Sequence, residues 1–344
     1  MTLSPTGDRS HDVEGLCREV RVSRFSLFAA AAAALQRASF PSTAVADGFA
    51  AIAGMTPRRR DYYLSDPALG CWLDALLIAL MQPATTRAAL LARAGQLPPL
   101  LERIEARRKG TGFVHVGDTG ILLQRDELDP VIKAITPPTY DFAAAGRKPV
   151  GRRQLERFAA ILAEAFANIR AADPERHAQL CRLIRVIGYL PDLEFRSCSA
   201  ARYQGVVYLA GDEESIVDLE ESIVHEGAHQ LLYKIGELSP ITERAALETE
   251  YELPWSGSVR DLFGYYHAYF IYLEVVKYYD RRAPSTGAAR PRTERIRQLI
   301  HRGLEFATDD IRSAAGLTPA GRALFGRLAG ETAALRGPTL AAVA

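Results

Sequence analysis

The run His225-Glu226-Gly227-Ala228-His229 constrains the fold of this chain more than any other feature of its sequence. Two histidines four residues apart lie on the same side of a helix, one turn apart, so both rings can reach a single metal ion. Apolar residues recur around the run at helical spacing, namely Ile216, Leu219, Ile223, Leu231 and Ile235. The pattern therefore predicts a packed helix that presents two metal ligands.

Residues at both ends of this segment are typical of helix termini. Asp212 is placed to act as the N-cap, and Glu213 and Glu214 follow in the first turn, where negative charge suits the helix dipole. Gly236 is a natural residue for the position just after a helix, and Lys234 precedes it in the last turn. The sequence thus predicts a helix from about residue 213 to residue 235.

Composition argues against several classes of partner. The chain has 344 residues, with 42 Lys and Arg against 41 Asp and Glu, so its charges nearly cancel. No strong basic excess points to nucleic acid or to an anionic membrane surface. The apolar run 25–35 is far shorter than the ~20 residues of a membrane span, and we interpret it as an early core helix rather than an export signal.

The cysteines indicate the compartment. Cys17, Cys71, Cys181 and Cys198 are scattered and form no C-x-x-C pair. This spacing is typical of reduced thiols rather than of a disulfide framework or a zinc ribbon. We therefore expect a cytoplasmic protein.

Element patterns predict a mainly α (α+β) fold, with a helical N-terminal part and a metal-binding helical core that includes a small β-sheet. Asp66 and Pro67 open one N-terminal helix as cap and first residue. Alternation predicts a hairpin over residues 111–124 and short strands at 184–189, 195–199 and 206–209. Long helices are expected at 152–171, at 174–183 and from residue 255 to residue 279, with two more after residue 293.

The expected organisation has three parts. Residues 1–20 form a frayed N-terminus, residues 21–150 a mainly helical region with a possible role in binding a peptide, and residues 151–344 the catalytic region with the two histidines. Prolines and glycines between residues 137 and 151 mark the seam. The oligomeric state is left open by the sequence.

A catalytic metal site usually takes a third protein ligand and keeps other positions open. Three glutamates, Glu248, Glu250 and Glu252, lie 19 to 23 residues after His229, close to the spacing of the third ligand in thermolysin-like zinc peptidases. They also suit a solvated acidic helix end.

The rival third ligand is His267. If Ser258 caps a helix, then Arg260, Gly264 and His267 share one stripe of it. Gly264 inside that helix indicates a close approach by another backbone or a small ligand, and Arg260 is placed to hold a carboxylate of a ligand whose far end meets the metal. The pattern alone fits an ordinary core histidine and a surface arginine equally well.

At these residues the chain resembles the H-E-x-x-H type of 2-oxoglutarate-dependent peptide β-hydroxylases, which occur with ribosomally made, post-translationally modified peptides. The resembling segments lie within residues 195–275: Ser197-Cys198-Ser199, the strand that begins at Gly205, the histidine helix, and the block from Pro254-Trp255 through Arg260 and Gly264 to His267. The segment from Asp66 to Leu73 is similar to the family's helical N-terminal part.

The resemblance implies Fe(II) bound by His225, His229 and His267, with 2-oxoglutarate as cosubstrate and its distal carboxylate on Arg260. Trp255 and Gly264 would belong to the cosubstrate-binding part. The implied reaction hydroxylates a side-chain β-carbon in a precursor peptide. Three protein ligands would leave room for the keto acid and dioxygen.

Two other classes stay open. Three neutral imidazoles suit zinc as well as iron, and in a zinc peptidase or related hydrolase Glu226 would be the general base. In an oxygenase Glu226 would instead orient a ligand or a water. A binding module without catalysis is the third class.

Overall fold

The computed structural model describes residues 12–40, 42–109, 114–124, 150–191, 196–244, 248–282 and 289–335. The protein is mainly helical with a small mixed sheet, as the sequence predicts. The stretch 125–149, where we expect the domain seam, lies outside the described residues, as do residues 1–11.

The N-terminal half consists of consecutive helices: α1 (Val13–Arg37), α2 (Ala44–Ala53), α3 (Pro57–Leu64), α4 (Pro67–Met81), α5 (Arg87–Gly95) and α6 (Leu97–Arg108). Asp66 caps α4 as predicted, because its side chain accepts a hydrogen bond from the backbone N–H of Ala68. The apolar run 25–35 lies inside α1 and buries Phe28, Ala31 and Leu35. Since α1 begins at Val13, the prediction of a frayed end up to residue 20 is wrong for residues 13–20.

The strands are β1 (Val114–His115), β2 (Leu122–Gln124), β3 (Val186–Tyr189), β4 (Ser197–Cys198) and β5 (Val206–Leu209). They form one sheet in the order β1-β2-β3-β5-β4, with β3 parallel to both β2 and β5 and the two edge strands antiparallel to their neighbours. The helices α7 (Arg152–Ala172) and α8 (Pro174–Leu183) precede β3, at nearly the predicted bounds.

The sheet lies between two hydrophobic clusters. Val186 and Val206 pack with the N-terminal helices, whereas their neighbours Ile187 and Val207 pack with the C-terminal helices. This alternation follows from the two-residue period of a strand. The sheet is therefore buried on both faces.

The C-terminal half contains α9 (Ile216–Leu238), the hairpin of β6 (Glu250–Glu252) and β7 (Val259–Asp261), α10 (Leu262–Arg281), α11 (Ala289–Ser313) and α12 (Pro319–Leu335). The histidine run lies in α9. The cap of α9 is Ser215, whose side chain accepts from the N–H of Asp218, so the assignment of the cap to Asp212 is wrong. Gly236 lies inside α9 rather than after it.

Buried polar side chains hold α9 in place. Gln230, which is fully buried, donates to the carbonyl of Val206 and accepts from the N–H of Gly205, and so ties α9 to β5. Glu220 accepts hydrogen bonds from Asn168 of α7 and Tyr278 of α10 and pairs with Arg282. Because unpaired buried polar groups are costly, these contacts fix α9 between the sheet and its neighbours.

No single helix in the described part of the chain is both long and apolar enough to cross a membrane; α3 and α4 meet that criterion only as a pair bent by 66°.

Candidate metal centre

The helix α9 presents His225, Glu226 and His229 together. One ligand-type atom from each lies within 4.8 Å of the others. Nε2 of His225 is 3.1 Å from Nε2 of His229. Two nitrogens bound at about 2.1 Å to one ion are about 3 Å apart when the bonds are at right angles, so the pair fits a shared metal ion.

His267 of α10 joins this pair. Its Nε2 lies 2.5 Å from Nδ1 of His229, and the two ring centroids are 4.4 Å apart. His225 thus meets one nitrogen of the His229 ring and His267 meets the other. If the His229 ring turns by 180° about its Cβ–Cγ bond, Nε2 moves to the position that Cε1 now occupies. That position lies between the rings of His225 and His267.

Burial keeps all three imidazoles neutral at physiological pH. It lowers the pKa of His225 and of His267 to about 4, and it lowers the pKa of His229 still further. The positive charge of Arg196 lowers the pKa of His225 further, and protonation of a neighbouring histidine would have the same effect on His229 (from His225 and His267) and on His267 (from His225). Since metals bind the neutral ring, the site requires little proton release.

Glu226 is turned toward the sheet. It is 2% exposed, and its Oε1 accepts a hydrogen bond of 2.7 Å from the hydroxyl of Ser197 in β4. Oε2 has no hydrogen-bond partner among the described residues. Burial raises the pKa of this carboxyl to about 7, against the opposing effect of Ser199 and Ser197. A buried carboxyl oxygen that lacks a partner, beside two imidazoles, suits a site that takes up a cation or a water.

Gly227, in the middle of the histidine run, lies where two helices pack closely. A Cβ on Gly227 would lie 2.0 Å from a methyl carbon of Leu180 in α8. Glycine at this position therefore lets α8 pack against the face of α9 that lies opposite the metal ligands.

The position of Arg260 differs from the prediction. Arg260 lies in β7 and not in a helix, because α10 begins at Leu262 and its cap is Asp261 rather than Ser258. Its guanidinium is exposed and donates to the carbonyl of Val259. A Cβ on Gly264 would lie 3.1 Å from Cβ of Arg260, so Gly264 provides the space for the arginine stem.

The hairpin that carries Arg260 is anchored by Trp255. The indole stacks on Tyr272 at 4.6 Å between ring centroids and donates to the carbonyl of Ile300 in α11. Tyr272 in turn lies edge-on to His225 at 6.1 Å. Trp255 therefore connects the hairpin to the wall of the histidine site through one ring.

The three acidic residues that rival His267 lie elsewhere. Glu248, Glu250 and Glu252 are all exposed, the last two on β6, whereas His267 contacts the ring of His229. The geometry thus favours an imidazole as the third ligand.

Aromatic rings enclose the histidines, although the sequence analysis does not identify them as site residues. Tyr233 stacks on His229 at 5.9 Å and lies 5.3 Å from His267, while Phe263 lies 5.5 Å from His267. Tyr233 continues the i, i+4 row that His225 and His229 begin, so helical spacing alone was a signal for it.

Comparison with known proteins adds no family. No family model matches the chain, and no curated protein is similar enough to count as a relative.

Proposed function

We propose that the protein is an Fe(II)- and 2-oxoglutarate-dependent oxygenase of the H-E-x-x-H peptide β-hydroxylase type, acting on a ribosomally made precursor peptide. The observation that carries the proposal is the contact of His225, His229 and His267, all half-buried and neutral, from two adjacent helices. A third imidazole in place of a downstream carboxylate is the feature that separates this family from thermolysin-like peptidases.

The residues present fit the implied ion. The imidazoles of His225 and His267 both contact the ring of His229, and a carboxylate oxygen of Glu226 lies within 4.8 Å of a nitrogen of His225 and of His229. With Fe(II) bound, dioxygen would serve as the oxidant for hydroxylation of an unactivated C–H bond, and 2-oxoglutarate would supply the other two electrons by its oxidative decarboxylation to succinate and CO2.

The protein's own residues would perform the remaining tasks. His225, His229 and His267 would hold the ion, and Tyr233, Phe263 and Tyr272 would limit the access of water to it. Arg260, held at the start of α10, would pair with the far carboxylate of the cosubstrate. Glu226, tied to Ser197, would orient a ligand rather than transfer a proton.

The second candidate is a zinc hydrolase with Glu226 as general base. The observation that favours it is a carboxylate oxygen of Glu226 within 4.8 Å of a nitrogen of His225 and of His229, on a carboxyl whose pKa burial raises to about 7. Both are properties of a base that acts on metal-bound water.

The substitution Glu226→Gln separates the two functions. If the protein is the oxygenase, the Glu226→Gln variant should retain at least a tenth of the unsubstituted protein's rate of oxygen-dependent conversion of 2-oxoglutarate to succinate, measured without peptide. In a hydrolase the substitution should abolish peptide cleavage by the zinc-loaded protein. His229→Ala serves as the inactive control for both assays. Loss of succinate formation in Glu226→Gln, together with peptide cleavage by the unsubstituted zinc protein, would contradict the oxygenase.

A further inference from the structure

A cavity of about 140 Å³ lies on the side of α9 away from the histidines, between α1, α8 and the end of α3. This volume is about ten times the roughly 10–15 Å³ that one water requires. Most of the charged side chains that line it are basic: Arg21, Arg24, Arg182, Arg185 and Lys234, with Glu14 as the acidic member.

Two of these cations are neutralised locally. Arg24 forms two hydrogen bonds, of 2.9 and 2.8 Å, with the carboxylate of Glu237. Arg182 pairs with Glu14 at 2.5 Å. Their charge is therefore committed to partners within the protein.

The other three cations are neutralised less fully: within the described part of the chain only Arg21 among them forms an ion pair, a long one with the exposed carboxylate of Asp61. Lys234 is 8% exposed and forms no ion pair within the described part of the chain. Arg185 lies over the ring of Tyr62 at 5.2 Å. Arg21 is 3.6 Å from Asp61, and its buried Nε has no hydrogen-bond partner among the described residues. A buried ammonium without a counter-ion is expensive, so a bound anion would relieve a real cost.

We infer that this cavity binds a small oxyanion of the phosphate class, held by Lys234, Arg185 and Arg21. Lys234 contributes from α9, Arg21 from α1 and Arg185 from the residue before β3, so the ligand would join three elements. The inference is independent of the proposed reaction, because Lys234 is five residues beyond His229 and lines a separate cavity.

Lys234 carries its charge at neutral pH. Burial, together with Arg24, lowers its pKa to about 8, which still leaves the amine mainly protonated at pH 7. The thiol of Cys181, which also lines the cavity, adds no negative charge, because burial raises its pKa to about 11. The cavity is thus electropositive under the conditions of the test.

An open groove of about 740 Å³ continues from the cavity. The two share Arg21, Ser65 and Arg185, and the groove adds Arg58, Arg59 and Arg108. The anion could therefore be free phosphate or the phosphate of a larger molecule whose remainder lies in the groove.

The test is calorimetric titration of the full chain with inorganic phosphate at pH 7, at ionic strength matched with chloride. Binding should be saturable, and Lys234→Met and Arg185→Gln should each weaken it at least tenfold. Arg322→Gln, an exposed arginine of α12, should leave it unchanged. Circular dichroism checks that each variant is folded. If Lys234→Met does not fold, Arg185→Gln alone decides the outcome.

Glucose 6-phosphate distinguishes the two sources. If it binds more tightly than phosphate, and Arg58→Gln removes that advantage, the ligand is an organic phosphate; if inorganic phosphate alone binds, the ligand is the free ion. Either result supports the site. Failure of both to bind above the chloride background, or binding that the Lys234 and Arg185 substitutions leave intact, would overturn it.

Discussion

At the scale of single residues, the choice of the third ligand decides which chemistry the site supports. His267 touches His229, whereas Glu248, Glu250 and Glu252 are exposed. Loss of one of three ligands weakens a metal site far more than loss of an exposed carboxylate, because the remaining two donors hold the ion poorly.

The substitution His267→Ala should therefore reduce the affinity for Fe(II) at least a hundredfold, measured by anaerobic titration against a chelator. Glu250→Ala is the matched control and should change it less than threefold. The opposite order of effects would place the third ligand on the hairpin and would favour the hydrolase.

The sequence predicts the helical row of histidines but not the contacts that surround it. The row from His225 to His229 follows from helical spacing. At Gly264 the close neighbour is the side chain of Arg260, whereas the sequence predicts another backbone or a small ligand. The partner of Glu226, Ser197, is 29 residues away. Such a contact depends on the pairing of β4 with β5 and has no local signature.

At the scale of elements, the main errors concern where helices begin. Asp212 and Ser215 are equally good caps by residue type, and the path of the chain out of β5 selects Ser215. The apolar pattern predicts a helix from about residue 255, yet the segment before α10 forms a hairpin in which Gly257 has φ +66°. The residues Pro254-Trp-Ser-Gly257 are typical of a turn. The apolar pattern that follows them is typical of a helix and led to the wrong start for the helix.

The cap of α10 provides a test at this scale. Oδ1 of Asp261 accepts a hydrogen bond of 2.7 Å from the N–H of Gly264, in the first turn of the helix that carries His267. Asp261→Ala should lower the free energy of unfolding by about 1 kcal/mol, since it leaves that N–H unpaired. Ser258→Ala should change it by less than about 0.5 kcal/mol. Urea denaturation measures both, and equal effects would refute the assignment of the cap.

At the scale of the whole molecule, the sheet is the common layer on which the N-terminal helices and the helices that carry the histidines pack. The period-two pattern of β3 and β5 predicts strands, but the order of a mixed sheet depends on contacts between distant segments. A role of the N-terminal helices in binding the peptide stays a prediction.

An ionic network ties the C-terminal helices together. Glu274 of α10 is 5% exposed and pairs with Arg176 of α8 and with Lys277, which also contacts Glu331 of α12. Burial alone would raise the pKa of Glu274, but Arg176 and Lys277 outweigh it and lower the pKa to about 2. The ordinary value of 4.5 applies to the unfolded chain.

Glu274 stabilises the folded protein more at neutral pH than in acid. A carboxyl whose pKa is lower in the folded state stabilises the fold above pH 4.5, and the contribution, of the order of 3 kcal/mol, is lost as the pH falls toward 2. The stability difference between the unsubstituted protein and Glu274→Gln should therefore shrink between pH 5 and pH 2.5 in urea denaturation. A difference that is constant over this range would show that the network does not set the acid stability.

The most direct test of the proposed function is anaerobic addition of 2-oxoglutarate to the Fe(II)-loaded protein, followed by visible absorption spectroscopy. We predict a weak charge-transfer band from chelation of the keto acid to iron. His267→Ala should abolish this band, and Arg260→Ala should require at least tenfold more 2-oxoglutarate to produce it. Absence of the band in a protein that retains zinc tightly would contradict the oxygenase and would leave hydrolysis with Glu226 as the base.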